Sequence, residues 1–125
     1  MLHVVDASVL LAIARGDLTA IHRLMLMRKG EVAVPEPVVV HTGIETRCLT
    51  EHAAVDRWQR VVEVIPRLPW NAEVTEALFD LEPPAGLPVD LDTITAAHAV
   101  AKKAAVFTRE PERYSWVRRL RIVGI

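Results

Sequence analysis

The sequence predicts an α/β domain: a three-layer α/β/α sandwich with a short, mainly parallel central sheet. Two observations carry that reading. Short apolar runs of strand character, at residues 2–5, 31–34, 62–65, 105–108 and 120–125, alternate with longer stretches whose apolar residues recur at helical spacing. The strands are short, apolar and bounded by helices, the pattern of a parallel sheet covered by helices on both faces. With 125 residues, 51% of them hydrophobic and 25% charged, the chain can bury a sizeable core and reads as one domain, 1–125.

Taken in order, the first strand ends in Asp6, and a helix starts at once with Val9, Leu10, Leu11, Ile13 and Ala14 as its apolar positions. Gly16 suits the end of that helix and Asp17 the N-cap of the next, in which Ile21, Leu24 and Met25 repeat until Lys29-Gly30 stops it. Pro35 closes the second strand. Glu36-Pro37 opens a helix over 38–49, since proline is tolerated in a first turn, although three consecutive valines and Gly43 weaken it. Thr50 is placed to cap a fourth helix, 51–60, with Ala54, Val55, Trp58 and Val61 on its inner face, and residues 62–65 follow as a strand stopped by Pro66. Asn71 caps a helix over 72–81, and EPPAGLP at 82–88 is a loop. An alanine-rich helix over 92–103 starts at Asp90 or Asp92. The strand 105–108 then runs into the turn Arg109-Glu110-Pro111, and 120–125 closes the chain. There is no internal repeat and no low-complexity segment.

Charge narrows the function. Fifteen basic and sixteen acidic side chains give a net charge of −1, so no global field draws the chain to nucleic acid or membrane, and any polyanion contact is local. The single cysteine, Cys48, forms no internal disulfide and no zinc motif, which fits a reducing cytoplasm. No uncharged run reaches the roughly 18 residues of a membrane helix, and the first apolar run lacks a basic flank and contains Asp6, so no signal peptide is expected.

The informative residues are carboxylates at hinges between elements. An ionisable group at the end of a core strand is costly unless something there needs it, and open α/β sheets bind ligands beyond the carboxyl ends of their strands. Asp6 sits at such an end, and Glu110 sits just past the strand 105–108. Asp92 stands at the start of the alanine-rich helix and Glu45 in the helix after the second strand. Each has a plain alternative: Asp6 and Asp92 as helix caps, Glu110 as a solvated turn residue, Glu45 as a surface charge. Gathered together they cannot all stay ionised without a cation, and Mg²⁺ or Mn²⁺, hard ions that prefer oxygen, are the natural occupants.

Three fragments, VVDASVLLAI at 4–13, LDTITAAHA at 91–99 and VFTREPERY at 106–114, occur in an order and at distances that resemble the PIN-domain family, and within it the small VapC-type ribonuclease toxins of toxin–antitoxin pairs. The resemblance covers nearly the whole chain. It implies a metal-dependent endoribonuclease in which Asp6, Asp92 and Glu110 ligate Mg²⁺ or Mn²⁺, while Ser8 and Thr108 orient the acids from behind. It also implies an RNA substrate, a protein antitoxin that covers the site, and a homodimer. Two positions depart from the family pattern. Glu110 stands where aspartate is common, and the slot for the second acid, counted from Pro37, holds His41, with Glu45 one helical turn later. Three readings of that helix are open: Glu45 completes the catalytic set, His41 acts as a nitrogen ligand, or the site is weakened and the protein binds or regulates without cutting. Arg109 and Arg15 are the candidate phosphate contacts, and His98 reads as structural. A haloacid-dehalogenase phosphatase fits poorly, because Asp6 is followed at the required spacing by Ser8. A receiver domain fits poorly too, because the run 62–65 ends in Pro66.

Overall fold

The computed structural model describes all residues, 1–125. In chain order it contains β1 (His3–Val5), α1 (Ala7–Ala14), α2 (Leu18–Met25), β2 (Val32–Pro35), α3 (Glu36–Arg47), α4 (Ala53–Val64), β3 (Arg67–Leu68), α5 (Ala72–Asp80), α6 (Leu91–Lys102), β4 (Ala105–Thr108), a 3₁₀ turn (Pro111–Tyr114) and β5 (Ile122–Gly124). The sheet order is β3-β2-β1-β4-β5, and every pairing is parallel.

The two-residue period of a strand divides the core between two faces. Val5 and Phe107 point into a cluster with Val9, Leu10, Ile13 and Val38, under α1, α3 and α4. Their neighbours Val4 and Val106 point the other way, to Ala96 and Ala99 of α6 and to Tyr114 and Val117. Both faces of β1 and β4 are therefore covered, which is why Val4, Val5, Ala105, Val106 and Phe107 are apolar in succession and why the architecture is the predicted three-layer sandwich.

Trp58 of α4 fixes the first layer. Its ring lies on Gly43 of α3, where an added Cβ would come within 2.8 Å of the indole, and its Nε1 donates to Thr42 Oγ1 at 2.9 Å. The glycine that weakens α3 as a sequence is thus the close-approach point of two helices.

Several boundaries differ from expectation. Residues 62–65 are not a strand: Val62 lies in the last turns of α4, and Ile65 caps its end. The valines have strand composition, but Ala54, Trp58, Val62 and Ile65 fall at helical spacing and are buried together. The third strand lies beyond Pro66, whose carbonyl accepts from Val34 N at 2.9 Å, and it is a two-residue edge element. Helix α4 starts at Ala53 with no side-chain cap, so Thr50 does not cap it. Helix α3 starts at Glu36, two residues earlier than its apolar pattern suggests, with Pro37 in its first turn. Helix α2 ends at Met25, short of Lys29.

Candidate functional site

Strand order reverses at β1. The chain first builds outward through β2 and β3, then returns to place β4 and β5 on the other side. Open α/β sheets bind ligands at that switch point, outside the carboxyl ends of the strands. Here the two strands that flank the switch are β1 and β4, paired Val5 to Phe107. The register sets Asp6 beside Thr108, and Asp6 N donates to Phe107 O at 3.2 Å.

Asp6 is buried, 1% exposed, and divides its two oxygens between two tasks. Oδ1 accepts from Ser8 Oγ at 2.6 Å and from Val9 N at 3.2 Å, which makes Asp6 the N-cap of α1. Oδ2 accepts from the phenol of Tyr114 at 2.8 Å. The cap reading and the site reading of Asp6 are both correct, one for each oxygen. Burial raises the carboxyl above its ordinary range, against the pull of those hydrogen bonds. Behind it, Ser8 has committed its proton to Asp6, so Thr108 Oγ1 is the donor in the 3.3 Å contact with Ser8 Oγ. Thr108 Oγ1 in turn accepts from Glu110 N at 2.9 Å, and Ser8 Oγ accepts from Arg109 N at 3.0 Å. The hydroxyls thus tie the β1 end to the β4 end.

The start of α6 resolves a choice that spacing leaves open. Asp90 is the N-cap, accepting from Thr93 N at 2.9 Å in a capping box. Asp92 is thereby released from capping and turns to the site, where its Oδ1 accepts from Tyr114 Oη at 3.1 Å. One phenol therefore bridges the acid after β1 and the acid of α6. Tyr114 is 1% exposed. Burial first, then the two neighbouring carboxylates, push its ionisation far above the ordinary range, so it stays a neutral donor.

Its neighbour on the 3₁₀ turn binds the outer acids. Arg113 reaches Asp92 Oδ2 at 3.0 Å and Glu110 Oε2 at 2.8 Å, and the hydrogen bond to Asp92 strengthens its hold on its proton. Neither Tyr114 nor Arg113 is singled out by acid spacing in the sequence. The available signal was the end of the fragment VFTREPERY, where Pro111 starts a turn that carries both side chains back over Asp92.

The other expected residues lie on the rim of the same cleft, a hollow of about 820 Å³ bounded by Ser8, Arg15, His41, Glu45, Asp92 and Glu110 among others. His41 Nε2 and Glu45 Oε1 pair with each other at 2.8 Å across one turn of α3, and neither bonds to Asp6, Asp92 or Glu110. Arg109 is held by Asp17, whose carboxyl is lowered chiefly by Ala20 N at the start of α2 and further by that arginine. Arg15 lines the cleft and is exposed.

No three acidic or histidine side chains close on one point in the way a filled metal centre requires. The groups between the acids explain this: a phenol stands between Asp6 and Asp92, and a guanidinium between Asp92 and Glu110. The donor set itself is oxygen from three carboxylates, which suits a hard divalent ion, and a cationic side chain already sits among them. Each carboxylate oxygen keeps a second lone pair beside its hydrogen bond, so the residues present fit such an ion with the Tyr114 phenol in place once Arg113 moves off Asp92 and Glu110.

Comparison with solved structures places the fold. The chain superposes on VapBC2 from Rickettsia felis, solved bound to a DNA fragment from its promoter, with a TM-score of 0.82 over 100% of this chain and 99% of that one, at 14% identity. A toxin–antitoxin complex from Klebsiella pneumoniae matches at 0.75 over 97% and 95%, with 15% identity. VapC20 of Mycobacterium tuberculosis, a sarcin-ricin loop cleaving toxin, matches at 0.62 over 83% and 86%, with 19% identity. No protein-family profile matches the sequence, and no curated protein matches it. The architecture is that of the PIN fold, as found in the chains of these toxin–antitoxin assemblies. No helix is long and apolar enough to cross a membrane.

Proposed function

We propose that this protein is a metal-dependent endoribonuclease and the toxin of a toxin–antitoxin pair. The observation that carries the reading is the meeting of Asp6 and Asp92 on one buried phenol at the switch point of a PIN-type sheet. Asp6, Asp92 and Glu110 are the residues that would hold Mg²⁺ or Mn²⁺. Such an ion supplies neutralisation of phosphodiester charge and activation of water at neutral pH. Ser8 fixes the rotamer of Asp6 through its 2.6 Å hydrogen bond, and Thr108 fixes Ser8. Arg113, displaced from Asp92 and Glu110, is the guanidinium closest at hand for a phosphate. Arg109 is tied to Asp17, so it is the weaker candidate, with Arg15 on the far rim. RNA is the substrate, and a small antitoxin with cationic side chains is the partner whose charge suits this acidic cleft. A homodimer and a cytoplasmic setting complete the proposal.

The test is cleavage of structured RNA with Mg²⁺ or Mn²⁺ by wild type, Asp6→Asn and Asp92→Asn. Cutting that requires the ion and both aspartates supports the reading; cutting that survives in both variants removes these residues from the chemistry. A second reading is favoured by one observation, the His41–Glu45 pair that stays apart from the other acids. It is a PIN-fold binding protein with weakened catalysis, and a wild type that neither binds the ion nor cuts RNA would select it.

A further inference from the structure

Beside the acid cleft lies a second hollow of about 430 Å³, between the 82–88 loop and the segment that follows the 3₁₀ turn. Asp90, Asp92 and Arg113 line both hollows, so the two are neighbours that share a wall at the α6 N-terminus. Its size falls in the range of small-molecule sites. Its walls are Pro83, Pro84 and Pro88, the exposed Leu87 and the half-buried ring of Trp116. The prolines hold the loop in shape with little help from the core, which lowers the entropic cost of using it as a wall. Trp116 is anchored by Nε1, which donates to Arg113 O at 3.0 Å.

We infer that this hollow is a nucleobase subsite, which receives a base flanking the phosphate that the neighbouring acids act on; the inference rests on the nuclease reading above. Flat apolar walls with one fixed indole are what an unstacked base requires. The polar edge is rich in acceptors. The Ser115 hydroxyl donates to Glu112 O and the Thr93 hydroxyl to Asp90 Oδ1, so both protons are spent within the protein. Toward the hollow stand the second oxygen of Asp90 and the exposed side chain of Glu112, while the one cation on its edge, Arg113, is turned to Asp92 and Glu110. Carboxylates repel a phosphate and accept from exocyclic amines. The subsite therefore takes adenine, cytosine or guanine, whose amino groups bring at least two N–H bonds, in preference to uracil, which offers a single imide N–H.

The experiment is NMR of the full ¹⁵N-labelled chain without metal, following the Trp116 indole N–H (assigned by its loss in Trp116→Phe) during titration with AMP, CMP, GMP, UMP and inorganic phosphate. The expected result is saturable movement with the first three, binding about fivefold weaker for UMP, as one lost hydrogen bond gives, and no saturable movement with phosphate, because Asp92 and Glu110 hold Arg113 in the metal-free chain. Leu87→Glu, an exposed loop change away from Asp6 and Glu110, removes part of the apolar wall and should abolish the response. A Trp116 signal unmoved by any nucleotide, moved equally by UMP, or moved equally in Leu87→Glu overturns the inference. A protein that cuts RNA with Mn²⁺ yet shows no Trp116 response loses only the subsite. One that shows the response yet never cuts loses the nuclease reading and keeps a base-binding hollow.

Discussion

A single phenol proton faces two carboxylates in this protein, and that is the most constrained contact in the site. Tyr114 lies between Asp6 Oδ2 and Asp92 Oδ1, which come from elements 86 residues apart in the chain (92 − 6). The phenol sets the spacing of the two acids, so Tyr114→Phe, which deletes only the hydroxyl, is expected to weaken Mn²⁺ binding about 10- to 100-fold, the usual effect of losing a group that orients metal ligands. Calorimetric titration checks it, with the circular dichroism spectrum unchanged. Asp6 and Glu110 could be read from the sequence because each follows an apolar strand. Asp92 was ambiguous with Asp90 until the capping box assigned the cap to Asp90. Tyr114 was illegible, because a buried tyrosine in a short turn has the same sequence appearance as any core aromatic. His98 belongs to this scale too. It is buried, neither ring nitrogen has a hydrogen-bond partner, Trp70 packs edge-on against it, and Lys102 is the charge that acts on it. Burial, then that lysine, depress its pKa from 6.5, so the unfolded chain binds the proton more readily than the folded one. Its contribution is intact above about pH 6.5 and is lost as pH falls below that. His98→Leu should flatten the fall in Tm between about pH 6.5 and 5; an unchanged slope would show that carboxylates alone set the acid limit.

At the scale of elements, the α3–α4 contact is where sequence propensity and structure disagree most usefully. Three valines and Gly43 make α3 a poor isolated helix, and the helix exists because Trp58 packs on that glycine. Gly43→Ala improves helix propensity yet is expected to destabilise the fold by about 1–3 kcal/mol, the usual cost of overpacking a contact that must shift; urea unfolding measures it, and a stabilised variant would show that the indole gives way freely. The same packing explains the error at 62–65. A run of β-branched residues carries the composition of a strand, but Val62 and Ile65 continue the buried side that Ala54 and Trp58 begin, and tertiary burial overrides propensity. The real β3 is two residues long, too short to leave a periodic signal. Helices α1, α5 and α6 are legible because Asp6, Asn71 and Asp90 cap them with side-chain oxygens. The weakly capped starts of α3 and α4 were placed within a few residues only.

Across the whole molecule, the parallel order β3-β2-β1-β4-β5 creates one reversal, and the reversal decides where chemistry can occur. Asp92 and Glu110 line the cleft there and Asp6 lies buried behind them, because β1 and β4 end and α6 begins at that point, and α3 brings His41 and Glu45 to the rim. On the proposed nuclease function, a chain with net charge −1 would act on RNA through such local charge, with a divalent ion, Arg113 and the cleft arginines offsetting the repulsion between the acids and phosphate. RNA binding should therefore weaken with added salt along a shallow log–log slope, set by those few phosphate contacts. Titration of Mn²⁺ into the metal-free protein shows whether Asp6, Asp92 and Glu110 together hold a divalent ion. Wild type should take up Mn²⁺ with saturable heat, and Asp6→Asn and Asp92→Asn should each lose that uptake while keeping the wild-type fold. Equal uptake by wild type and both variants, or none by wild type, would show that these acids hold no such ion.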